Sequence, residues 1–143
     1  MMTRIVLAAA LVAVGISTVV ADIVSDRKAL MKRSAAEAKI AAKMKSGAEP
    51  FDLAKAKHVF ETYIDKANKL PTLFPDKPKP GEETTAGPAI WDKPADWNAA
   101  IAKFGSEAKA ALAATTDKAS FDAQLGIVQQ NCASCHETFR IKT

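Results

Sequence analysis

Apolar residues return every three or four positions along four stretches of this chain, the spacing of an amphipathic helix. The first stretch runs from about Ile23 to Lys45, with Ile23, Arg27, Leu30, Met31, Ser34, Ala38 and Ala41 or Ala42 on one face. Ser46 to Pro50 end it, and Gly47 is available for a left-handed cap. The second, about Phe51 to Leu70, aligns Phe51, Ala54, Val59, Tyr63, Ala67 and Leu70, and Pro71 limits it. Asp92 and Pro94 read as the cap and first turn of a third helix with Trp97, Ala100, Ile101, Phe104, Ala108, Ala111 and Leu112 on its apolar face. Thr115 to Asp117 break that helix and cap a fourth, whose stripe is Phe121, Leu125, Val128, Cys132, Cys135, His136 and Phe139.

Six of the seven prolines fall between Pro71 and Pro94, a density that excludes regular structure and predicts a long loop between two helical pairs. Two short turns and one long crossover predict an all-α fold: an antiparallel four-helix bundle with a proline-rich connection between helices 2 and 3. Abundant alanine and few aromatics suit closely packed helices better than sheets.

The first residues do not fit that bundle. Arg4 precedes an uncharged, mostly apolar run from Ile5 to Val20, and Val19-Val20-Ala21 ends it with a small residue. That is the pattern of a secretory signal peptide cut after Ala21. As a retained membrane anchor the run is short, since a spanning helix needs about 20 apolar residues. The predicted organisation is a signal peptide over residues 1–21 and one helical domain over 22–143. No stable membrane insertion is expected after cleavage. Losing Arg4 lowers the formal charge of +4 by one, and the remaining charges are mixed in sign. Without a dense basic stripe, and with export, a nucleic-acid role is excluded.

The candidate chemistry lies in the last predicted helix. Cys132-Ala133-Ser134-Cys135-His136 holds the only two cysteines of the chain, and Cys-x-x-Cys-His is the attachment signature of a c-type haem. Residues 132, 135 and 136 share a helical face. Two thiols at that spacing reach two vinyl groups on one porphyrin edge, and the adjacent imidazole becomes the proximal iron ligand. Other uses of two cysteines remain open at this stage. An exported chain permits a disulfide, a thioredoxin-like pair would need a βαβ context, and a zinc site would have to recruit His58 as a fourth ligand.

The chain resembles the class II c-type cytochromes, the cytochrome c′ family, over its whole predicted mature length. SDRKALMK is similar to that family's first helix and GAEPFDLAKAK to the start of its second. LPTLFPDKPK and GPAIW resemble its crossover, and CASCHETFR its haem site. The resemblance implies an exported four-helix bundle with one covalent haem c on Cys132 and Cys135, and His136 as proximal ligand. It implies Arg140 as the basic residue near the proximal side. Arg27, one turn before Met31, is a candidate partner for a haem propionate.

Members of that family come in two functional types. In one the sixth iron position is open, and small gases such as nitric oxide or carbon monoxide bind there. In the other a methionine four residues after the first-helix arginine fills it. Here that residue is Met31, so the resemblance implies a low-spin, His/Met-ligated, periplasmic one-electron carrier. Taken alone, a methionine on an apolar helical face is ordinary core filler. No acid–base pair falls beside the iron, so no catalytic residue is assigned. Redox partner proteins are implied, and so is a homodimer through the first two helices, for which the alanine-rich SAAEAKIAAKMK offers a surface.

Overall fold

The computed structural model describes residues 16–142, with side chains described from residue 23. Most of the expected signal peptide lies outside the described residues. Five α-helices follow in order: α1 (Ile16–Ser46), α2 (Leu53–Lys69), a short α3 (Ala89–Asp92), α4 (Pro94–Ala114) and α5 (Lys118–Phe139). The four long ones form the bundle. Consecutive long helices pack on one another, whereas α1 and α5 touch only sparsely.

Sequence explains the ends of these helices. No glycine or proline interrupts residues 16–46, so α1 starts well before the predicted Ile23 and runs through the expected cleavage point. Gly47, at φ 78°, turns the chain out of it. Asp52 caps α2 by accepting from the Lys55 backbone N–H at 2.9 Å. Asp117 caps α5 in a reciprocal box: its carboxylate accepts from the Ser120 N–H at 2.8 Å, and the Ser120 hydroxyl accepts from the Asp117 N–H at 3.0 Å.

The crossover departs from the expectation of a featureless loop. Leu70–Leu73 continue α2 as a 3₁₀ turn with Pro71 second in it, within the first turn where a missing N–H costs little. Asp92 does not cap the third long helix. It closes α3 and pairs with Lys77, while Lys93 precedes α4 without a side-chain cap. The crossover's far end is held to the end of α5: the Gly87 N–H donates to the Phe139 carbonyl and the Ile141 N–H to the Thr85 carbonyl, each at 2.8 Å. A Cβ on Gly87 would stand 2.9 Å from that Phe139 oxygen, so only glycine fits without displacement. Between its anchored ends, Pro75–Gly81 is mostly exposed.

One half of the bundle is solid. Ala41, Met44, Phe60, Phe121 and Leu125 are fully buried there. Phe121 packs against Phe51 at 5.8 Å and Phe60 at 5.7 Å, and Phe60 passes the contact to Tyr63. Gly105 lets α4 approach Ala67 of α2, where a Cβ would come within 3.1 Å. Of the predicted faces, Ala42 and Ala54 turn out exposed, because the burying stripes centre on Ala41 and Ala56 instead. The other half of the bundle is hollow.

Candidate functional site

Between α1 and α5 lies a cavity of about 1100 Å³. Its wall contains all six residues singled out by sequence: Arg27 and Met31 from α1, Cys132, Cys135 and His136 from α5, and Arg140 just beyond α5. A second, smaller hollow beside it is lined by Met31, His136 and both cysteines again. Met44, the other methionine among the described side chains, is fully buried in the solid half and lines neither hollow.

Both cysteines are free thiols and half-buried. Burial raises the Cys135 pKa, against a lowering by the nearby Lys66 ammonium and with a small further rise from Cys132. His136 retains exposed surface while it lines the cavity. Partial burial, then Lys66, then Arg140 lower its pKa, so the imidazole is held towards the neutral form that can donate a lone pair to a metal. The motif thus borders the hollow rather than filling the core. His58 sits on the outer side of α2 with Glu37 at 3.8 Å and Glu61 at 3.6 Å, which removes it from any shared site with the cysteines. Among the described residues no three His, Cys, Asp or Glu side chains converge on one point.

Arg27 is only 9 % exposed. Its Nε donates to the Leu73 carbonyl, and its guanidinium carbon lies 4.3 Å from the Phe74 ring centroid. Burial lowers its pKa, and Glu82 partly opposes that. The 3₁₀ turn makes this possible by ending the helix and leaving the Leu73 carbonyl free to accept. Nη1 of Arg27 is buried without any partner. An orphaned guanidinium nitrogen in a cavity wall calls for an anion, and a haem propionate is one. The cavity volume, the paired thiols and this orphan nitrogen all fit a haem.

Apolar side chains close the rest of the hollow. Trp97 stacks edge-on against Phe74 at 5.0 Å and against Phe139 at 5.1 Å. Trp91 of α3 is half-buried, donates its ring N–H to the Phe74 carbonyl at 3.2 Å and so ties α3 to the start of the crossover. The Arg140 Nε donates to the Thr85 hydroxyl at 3.3 Å, at the seam between crossover and α5.

Two polar wall residues were not anticipated. Tyr63 is 1 % exposed, and burial raises its pKa, partly opposed by the neighbouring Gln129 side chain. Lys66 is 7 % exposed and reaches the same cavity. The signal for Lys66 was present: it lies three residues after Tyr63 and one before Ala67, inside the buried stripe.

A family model described as Cytochrome C′ matches residues 22–140. The chain is 38% identical to a cytochrome c′ of Rhodopseudomonas palustris, with 99% of each chain covered. It is 33% identical to a cytochrome c-556 of Agrobacterium fabrum, covering 83% of this chain and 81% of that one. The solved structure of a Rhodopseudomonas palustris cytochrome c′ superposes with a TM-score of 0.80 at 38% identity, over 85% of this chain and 98% of the other.

Proposed function

The chain belongs to the cytochrome c′ family, the class II c-type cytochromes with covalently bound haem c, and on that premise we propose that it is an exported, periplasmic one-electron carrier whose haem iron is ligated by His136 and Met31. In this reading residues 1–21 are a cleaved signal peptide and residues 22–143 the working domain. Among the described residues no helix is long and apolar enough to cross a membrane.

The observation that supports the ligation is that Met31 of α1 and His136 of α5 line one cavity, whereas Met44 is buried elsewhere and does not. Cys132 and Cys135 would hold the haem by thioether bonds, and the bound group supplies an iron that gains and returns one electron. The chain's own part is positional. Arg27, braced by Leu73 and Phe74, offers a directed guanidinium to a propionate. Arg140 adds a second cation at the cavity mouth. Phe74, Trp97 and Phe139 exclude water, which keeps charge interactions inside strong. The Met31 thioether, a soft ligand, favours the reduced metal and closes the position to exogenous gases.

Redox proteins are the proposed partners, and no catalytic residue is assigned. A homodimer through α1 and α2 accords with the exposed Ala36 and Ala42 of α1.

Absorption spectra of the oxidised and reduced protein test this. Covalent haem keeps its colour on the polypeptide after acid–acetone extraction and adds the mass of one haem. Met31 ligation gives low-spin bands and a sulfur-to-iron charge-transfer band in the oxidised form. A protein that is high-spin and takes up carbon monoxide on mixing would make Met31 packing, and the site a gas-binding one.

A further inference from the structure

Lys66 and Arg27 are the two buried cationic residues of the described cavity wall. Arg27, Lys28, Lys32, Lys66 and Arg140 face the hollow, against Glu83 as the one carboxylate among the described lining residues. Lys28, Lys32 and Arg140 are exposed, so water and salt attenuate them within about 10 Å at 0.1 M ionic strength. Arg27 is buried, but it is braced at the propionate position assigned above. Lys66 is 7 % exposed, and among the described residues its ammonium finds neither carboxylate nor hydrogen-bond acceptor. Its nearest described interaction is the Phe104 ring, 5.4 Å from Nζ to centroid. Its stem lies in the buried stripe between Tyr63 and Leu70, where a methionine or leucine would also fit, while its charged end borders the hollow.

The field of Lys66 reaches the haem motif. Lys66 borders both hollows together with Met31, His136 and the cysteines, so its charge stands beside the residues that would hold the haem. We propose that Lys66 sets the electron affinity of the site, favouring the reduced state by placing beside it a positive charge that no described carboxylate pairs. The inference rests on the proposed haem-carrier function. The balance is simple: the site takes one electron from an external one-electron donor, its net charge falls by one, and no proton or leaving group moves. A fixed cation nearby stabilises the product of that step relative to the reactant.

The test is a spectroelectrochemical titration of the haem-loaded full-length protein, with Lys66→Met, Lys66→Arg and Lys66→Glu beside it. At the ambient potential where the unmutated protein is half reduced, Lys66→Met should show a reduced-to-oxidised ratio at least about threefold lower. Lys66→Glu should fall at least about tenfold, a shift of about 59 mV for one electron. Lys66→Arg should stay near the parent. The Lys66→Met shift should persist at ~0.5 M salt, whereas any shift from the exposed Lys28→Met should vanish there. Unchanged axial-ligand bands in each variant separate a charge effect from ligand loss. If Lys66→Met does not load haem, the neutral Lys66→Gln reads the same shift. Ratios for the neutral and Glu variants equal to the parent overturn the inference while leaving the carrier function intact. A parent protein without covalent haem overturns the carrier function itself.

Discussion

Met31 and His136, from near opposite ends of the described chain, stand in the walls of the same cavity, one on α1 and the other on α5. The two helices otherwise hardly touch. Met31→Ala should therefore leave the haem attached through α5 while converting the iron to a high-spin form that binds carbon monoxide on mixing. Absorbance before and after carbon monoxide addition checks this; an unchanged low-spin spectrum would remove Met31 from the coordination sphere.

Removing the thioether anchors should cost the fold as well as the colour. The cavity of about 1100 Å³ is far larger than the voids that packed interiors tolerate. Cys132→Ala with Cys135→Ala should give a colourless chain that melts at least about 10 °C lower and less cooperatively, because ligand binding no longer stabilises the native state. Calorimetry of the two forms decides it, and an apo form melting as high and as sharply as the holo form contradicts it.

Gly87 predicts a strictly steric result. Its φ is not in the left-handed region, and a Cβ there meets the Phe139 carbonyl at 2.9 Å. Gly87→Val should open the seam and cost about 1–3 kcal/mol, measurable by chemical denaturation. Gly126, whose Cβ would meet nothing within 4 Å, serves as the control, and Gly126→Ala should be neutral or mildly stabilising through helix propensity.

Acid sensitivity should trace partly to Asp117. Its hydrogen bonds, chiefly from the Ser120 side chain and then the Ser120 backbone N–H, lower its pKa in the folded protein. A depressed carboxylate pKa contributes stability that is present above the unfolded value of about 3.9 and disappears as pH falls through the folded value. The melting temperature should hold from pH 7 to about 5 and decline below about pH 4. Asp117→Asn keeps a good N-cap without a titrating charge, so its decline below about pH 4 should be shallower than that of the parent. Parallel acid limbs would assign the sensitivity elsewhere, for example to Asp65, whose pKa is lowered chiefly by its hydrogen bond to Lys69.

The helices and the cavity-lining residues were legible because they follow local rules. Three-and-four spacing located Trp97, Ile101 and Phe104 on one face, and all three are buried. The side-chain oxygens of Asp117 and Ser120 sit where capping chemistry needs them. Arg27, Met31, Cys132, Cys135 and His136 follow the same periodicity onto the two helices that flank the hollow. What escaped the sequence depends on tertiary approach. The 3₁₀ turn at Leu70–Leu73, the pairing of Thr85–Gly87 with the end of α5, and the placement of Asp92 opposite Lys77 are set by contacts between distant segments. Lys66 shares the register of the buried stripe between Tyr63 and Ala67, but an apolar pattern does not pick out a lysine at such a position.

The crossover has engineering value. It is pinned at its start by the 3₁₀ turn under Arg27 and at its finish by the Thr85–Gly87 seam, while Lys79, Pro80 and Gly81 between them are exposed. Lengthening a flexible loop is cheap, about 0.6 kcal/mol for each doubling. An affinity tag, a tether to an electrode or a fused second domain inserted at Lys79–Gly81 would leave both pins in place. The same architecture makes the middle of the crossover the segment most free to vary in length among functional versions of this bundle, and its two ends the least.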